Sequence, residues 1–147
     1  MAVGGTVSTP IFKQDGQYLT FVVETATPVT LGQVVKLVTT GTPSTVSPAG
    51  AGDLGIIGVA VSGNRVSRTA SDNIVAAGDR VTVCTRGVCN CVVAAAGATV
   101  GLELKAGAAG TVTDINSAGY TDLRANIGRA LQTGSSGEVI PVLVMVR

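Results

Sequence analysis

The sequence predicts an all-β domain, a compact barrel-like body built from two similar halves and preceded by an extended N-terminal arm. Three observations point there. Short runs rich in Val, Ile and Thr recur between clusters of Gly, Pro, Asn, Ser and Asp, at the roughly 8–12-residue spacing of a sandwich or barrel. Helical periodicity is nearly absent, one turn near Asp122 to Ala125 in "YTDLRANIGRAL" being the only place for it. Finally, several blocks of the first half return in the same order in the second.

Residues 1–28 form the expected arm. "MAVGGTVSTP" is flexible and polar, whereas "IFKQDGQYLTFVVE" supplies Ile11, Phe12, Tyr18, Leu19 and Phe21 as apolar anchors for another chain. Phe12, Tyr18 and Phe21 stand apart from Tyr120, the remaining aromatic residue. An arm of this kind adds to a neighbouring sheet through backbone hydrogen bonds and fixes its register by alternate side chains. The same residues also suit a first strand packed on the barrel, and that alternative stays open.

Pro28 and Thr30 mark the entry to the body, residues 29–147. Within it "QVVKLVTT", "LGIIGVAVS", "DRVTVCT", "GVCNCVV", "TVGLELK", "GTVTDI" and "VIPVLVMV" read as strands. "TPSTVSPA", with Pro43 and Pro48, reads as turn. "VTVCTRGVCNCVV" reads as a hairpin turning at "TRGV". The last strand is apolar on both faces, and Pro141 removes one ladder donor, which places it at an edge or bulge. An exposed apolar edge would aggregate, so Val142, Val144 and Val146 are expected to be covered at a subunit interface, in a closed trimer.

The repeat has four blocks. "TLGQVVK" matches "TVGLELK", "STVS" matches "GTVT", "AGAGDLGIIGVAV" matches "AGYTDLRANIGRAL", and "GDRVTV" matches "GEVIPV". The pseudo-repeats span 30–84 and 99–146. This settles a motif that otherwise reads as a nucleotide site. "GAGDLG", Gly50 to Gly55, fits the G-x-G-x-x-G of dinucleotide-binding domains, which needs a strand before it and a helix after it. Here the following "IIGVAV" is strand-like, and the second copy replaces two of the glycines by Thr and Arg-bearing sequence. A phosphate cradle would not survive that; a turn into a strand would. Gly58 and Gly128 then mark a bulge or a close backbone approach.

Composition narrows function. The chain has 147 residues, enough for one domain that buries about 68–70% of its unfolded surface. It is 46% hydrophobic but 3% aromatic, so the core must be aliphatic. Charged residues make up 13%, about half the usual share, which suits a surface hidden in an assembly. The net charge of +1, with basic residues scattered singly, gives no footprint for nucleic acid. No apolar run reaches the roughly 18 residues of a membrane span. "MAVGGTVSTPIF" lacks the basic and apolar regions of a secretory signal, so synthesis in a cytoplasm is expected. The absence of His removes the common nucleophile–base pairs, and the carboxylates sit beside turn glycines rather than in pairs. No catalytic residue, cofactor, metal or small-molecule substrate is expected.

Cys84, Cys89 and Cys91 form C-x4-C-x-C. A structural zinc site would need a fourth ligand that neither Cys nor His supplies. On a hairpin, Cys84 and Cys89 could meet as a cross-strand disulfide. The favoured reading is small, buried thiols in a reducing compartment.

"TLGQVVKL", "DLGIIGVA", "AAGDRVTV" and the closing "GEVIPVLV", in a His-free, aromatic-poor chain, resemble the small capsid decoration, or cement, proteins of tailed bacteriophages. The resemblance covers Thr30 to Val146. It implies a β-barrel or β-tulip body, commonly a homotrimer, that binds the major capsid protein on the outside of the mature head after synthesis in the host cytoplasm. It also implies an N-terminal arm reaching across neighbouring capsid subunits, and no binding of nucleic acid or membrane. The cysteine-bearing stretch departs from the pattern. A tail or baseplate component, or a small β-barrel binding module, is the alternative; the first would show longer fibrous repeats, the second more charge and an aromatic pocket.

Overall fold

The computed structural model describes residues 13–39, 44–63, 73–115 and 125–146. Its strands are β1 (Lys13–Val23), β2 (Val29–Thr30), β3 (Val34–Leu37), β4 (Thr45–Pro48), β5 (Ile56–Gly63), β6 (Ile74–Val75), β7 (Arg80–Val92), β8 (Glu103–Ala106), β9 (Val112–Asp114), β10 (Gly128–Ala130) and β11 (Val139–Met145). A 3-10 turn, Ala108–Gly110, precedes β9. The β-branched run lengths account for the strands, and Gly, Pro and Ser between them account for the breaks.

One sheet runs in the order β1-β4-β3-β5-β7-β11-β10-β8-β9, and β1 also pairs with β7. That extra pairing closes β1, β4, β3, β5 and the first part of β7 into a ring. The second part of β7 pairs with β11, and a parallel bridge from Val93 to Val112 closes β11, β10, β8 and β9 into a second ring. The long strand β7 therefore belongs to both. A separate ribbon pairs β2 with β6.

The two rings match pair by pair. Val35 lies opposite Gly58, and Leu104 opposite Gly128. Val23 is parallel to Val46 as Val93 is to Val112. Val23 receives the Gly78 amide and gives its own to Asp79, as Val93 does with Gly137 and Glu138. Ser44 (φ 63°) and Gly110 (φ 71°) hold the same left-handed turn before β4 and β9. At Gly58 and Gly128 the reason for glycine is space: an added Cβ would run into the carbonyl oxygen of Cys84 or of Leu143.

The core follows from the composition. Val34, Val35, Val46, Val59, Val81 and Val83 fill the first ring, and Leu104, Val112, Ile140, Val142 and Val144 the second; all are fully buried. Interiors packed from small branched side chains tolerate little change of volume.

Four expectations change. Residues 13–23 do not stand outside the body: β1 pairs antiparallel with β7 from Lys13 to Val22, so the boundary at residue 28 is wrong and the packed-first-strand alternative holds for this segment. Val22 and Val23 are in fact the counterparts of Val92 and Val93, so the repeat begins before Thr30. The stretch around the cysteines is not a hairpin but the unbroken β7, with register shifts on its β1 side instead of a turn. "TPSTVSPA" contains the strand β4, whose Thr45, Val46 and Ser47 are buried and whose last residue, Pro48, lies opposite Val35. The helical turn expected at Asp122 to Ala125 lies outside the described residues except for Ala125.

Candidate interaction surface

The chemistry-bearing side chains are built into turns. In the "GAGDLG" segment the Asp53 carboxylate accepts the Gly50 amide and the Lys36 ammonium, both at 2.7 Å on Oδ2. A phosphate would need that amide, and a carboxylate already holds it, so the segment is a closed turn. Those two partners, Lys36 first and the Gly50 amide next, hold the Asp53 carboxyl below its usual range. Asp114 likewise accepts the Thr99 amide and hydroxyl, and Glu138 accepts the Ser135 amide. Glu103 and Arg129 meet at 3.8 Å on the surface, a loose pair of little energetic weight. Among the described residues these carboxylates form no paired acid–base set.

Cys84, Cys89 and Cys91 are free, buried thiols. The Cys89 thiol donates to Cys84, and that hydrogen bond together with burial pushes Cys89 far up; burial first, then the nearby Cys84, pushes Cys91 up. Both stay protonated at neutral pH, which makes them filler rather than nucleophiles.

The expected contact residues divide. Ile11 and Phe12 lie outside the described residues. Tyr18 and Phe21 are half-buried and pack against the core, while Leu19 is 55% exposed. Val142 and Val144 have no exposure at all and Val146 packs partly on the same core, so the apolar face of β11 that carries them is covered by the chain itself. It is not a free interface. Ring closure is the physical reason: Ile140, Val142 and Val144 face the closed interior while the alternate residues of β11 face outward, and Pro141 sits where β10 has ended, its carbonyl accepting the Leu131 amide.

Sequence reading missed a second apolar area. Val100, Leu102 and Leu131 are each 44–55% exposed, and Leu102 borders a hollow of about 220 Å³ lined also by Gly101, Glu103, Asp114, Ile115 and Arg129. The first-ring counterparts of Val100 and Leu131, which are Leu31 and Val61, are buried, and Leu102 stands where the first ring has the polar, half-buried Gln33. The signal in the sequence was the longer connection after "GVAV", which carries β6, compared with the short one after "GRAL".

Residues 2–144 match the family model of the phage "Structural cement protein (E217 gp24/Pam3 gp6)". Among solved structures, the chain is similar to the head fiber gp8.5 N base of bacteriophage phi29, with a TM-score of 0.54 and 16% identity over 87% of this chain and 92% of that one. At that identity the likeness shows a shared fold. No curated protein matches the chain.

Proposed function

The chain belongs to the phage structural cement protein family, and from that premise we propose that it binds the outside of the mature head as a homotrimer and reinforces contacts between major capsid subunits. The observation that carries this reading is the family match over residues 2–144, nearly the whole chain. The surface fits it. Charge is sparse, the exposed large side chains Leu19, Val100, Leu102, Leu131 and Met145 are apolar, and the described carboxylates serve turns. A rigid double ring with few charges is suited to passive clamping, and no enzymatic role is proposed for it.

The contact set begins with Leu19, flanked by Tyr18 and Phe21 on β1, and extends to Ile11 and Phe12 before it. Subunit contacts within the trimer would use outward side chains of β11 such as Met145, 45% exposed, in place of Val142 and Val144. Contacts with several capsid subunits raise effective concentration, so weak individual contacts suffice. The test is binding to expanded heads by full-length protein and by a form lacking residues 2–12, with the thermal stability of the heads as the second readout. Saturable binding that raises the temperature of head disruption is expected. The absence of binding by the full-length protein would refute the reading.

A further inference from the structure

Resting on the cement reading, we infer that Gln33 and the turn Ala108–Gly110 form a clasp that fixes the second ring against the first, and that head binding depends on this fixed relation. The contacts cross from ring to ring. The Gln33 side chain donates from Nε2 to the Ala109 carbonyl at 2.9 Å. The Gly110 amide donates to the Ala49 carbonyl at 2.7 Å, and the Gly52 amide to the Ala106 carbonyl at 2.9 Å. Gln33 precedes β3 and Ala49 and Gly52 follow β4 in the first ring, whereas Ala106, Ala109 and Gly110 lie between the strands β8 and β9 of the second or at their ends.

The duplication shows which of these contacts a ring needs for itself. In the first ring the Thr30 amide donates to Gln33 Oε1 at 2.8 Å. In the second, the matching Thr99 amide donates to Asp114 Oδ1 at 2.9 Å, and Leu102 stands at the place of Gln33. That turn therefore needs an acceptor, and Gln33 supplies in addition a donor directed at the other ring. Gly110 tells the same story. Its counterpart before β4 is the exposed Ser44, at φ 63° against 71°, so the backbone conformation alone does not demand glycine. The close approach does: a Cβ at Gly110 would lie 2.8 Å from the Val34 carbonyl oxygen and 2.9 Å from Gln33 Cβ. Beside it Ala109 sits at φ 53°, a left-handed conformation that a residue with a Cβ keeps only where its surroundings hold it.

A fixed relation between the rings matters to a clamp. Contacts made by both rings reinforce one another only when their spacing is set beforehand, since a loose linkage loses conformational freedom on binding. Gln33 is on this account a positioning residue, acting on the head through the placement of the second ring.

Gln33→Glu tests this, because it keeps the acceptor for the Thr30 amide and turns the donor facing the Ala109 carbonyl into a carboxylate oxygen. Gly110→Ala disturbs the same junction without a change of charge. Amide exchange is followed in the full-length proteins at Gly110 and Gly52, with the Ala49 amide, bonded to the Val34 carbonyl within the first ring, as reference. The same proteins are titrated onto expanded heads. Expected in Gln33→Glu is exchange faster by about three- to tenfold at both Gly110 and Gly52, the equivalent of one net hydrogen bond, with Ala49 unchanged and head binding weaker by a similar factor. Gly110→Ala should act in the same direction. Gly52 is the telling position, because the side-chain bonds of Gln33 go to Thr30 and Ala109, so a response there reports movement of ring against ring. Should Gly110→Ala fail to fold, Gln33→Glu decides alone. Unchanged exchange at either amide in Gln33→Glu, or faster exchange with head binding still within about twofold of wild type, overturns the inference while the cement reading stands. Failure of wild type to bind heads overturns both.

Discussion

Leu31 and Val100 hold the same place in two copies of one motif, yet Leu31 is 8% exposed and Val100 is 55% exposed. Val61 and Leu131 repeat the contrast at 3% and 44%. The strands around them are equivalent; what differs is the connection that follows β5 and β10. In the first ring it returns through β6, pairs with β2, and brings Asn73 to accept the Leu31 amide. In the second ring it is short, and the bridge from Ala98 to Gly134 is what remains of that ribbon. The reverse contrast holds at the other end of the repeat, where Cys89 is covered and Leu19 is not. The skeleton of a duplicated fold is therefore set by strand pairing, while each half's surface is set by its loops, and function belongs to the surface.

The skeleton can be broken most severely at its shared glycines. Gly58→Ala and Gly128→Ala each force a methyl group into a carbonyl of the facing strand, at Cys84 and Leu143 respectively. Each should cost more than about 3 kcal/mol in denaturant unfolding, since backbone on both sides must move. If the halves are equivalent as packed structures, the two losses agree within about 1 kcal/mol; a benign change at either site would break the equivalence there.

The next test sharpens the contrast between covered and uncovered positions. Leu31→Ala removes a buried side chain and should destabilise by about 2–3 kcal/mol, whereas Val100→Ala should stay within about 0.5 kcal/mol. Urea midpoints at constant slope would measure both. Equal losses would mean that Val100 is buried in the soluble oligomer, which would make its patch a subunit interface.

Much of this skeleton was legible in the sequence, for a physical reason. Strand pairing needs β-branched runs and turn glycines, and both leave local patterns: "TLGQVVK" and "TVGLELK" lead into β3 and β8, and the two IG pairs lead into β5 and β10. The repeat's first strand was not legible, because only Val22–Val23 and Val92–Val93 survive of the likeness between β1 and the second part of β7. That loss placed Tyr18 and Phe21 in an arm, although they pack on the core. A strand of 13 residues with Gly87 inside it also reads as two strands and a turn, since a local pattern cannot tell a bulge from a reversal. The surface was least legible. Whether Val142 faces a neighbour or its own core depends on ring closure, a property of distant pairings. The exposed Val100 likewise depends on a connection through β6 that the second ring lacks among the described residues.

The cysteines give a smaller expected effect. Cys84, Cys89 and Cys91 lie on the shared strand, at places where the other copy has Leu143, Leu19 and Phe21. Small thiols let both rings close on one strand. A triple Ala variant should keep the same oligomeric state and lose about 1–3 kcal/mol through trimmed packing. Sedimentation and thermal unfolding would check this; loss of folding together with loss of a stoichiometric bound metal would show the thiols to be ligands.

The smallest effect is expected at Asp53, the residue that distinguishes a structural turn from a phosphate site. Its carboxyl is held below the usual carboxylate range, first by Lys36 and then by the Gly50 amide. The folded state thus binds its proton less readily than the unfolded state. The stabilisation is fully present above the unfolded value and is lost as pH falls through the folded one. Asp53 and Lys36 are each about one-third exposed at the side chain, so solvent screens the pair and the ionic part of the gain at neutral pH is under about 1 kcal/mol. Asp53→Asn should be less stable than wild type near neutrality, and the difference should shrink steadily below about pH 4. Salt should shrink it only in part, because the pair at 2.7 Å lies well inside the screening length of about 10 Å at 0.1 M. Unfolding free energies of both proteins across the acid range would measure the convergence. A difference that stays constant down to the acid limit would mean that the oxygen accepting the Gly50 amide matters and the charge does not. The turn would then be held by geometry alone.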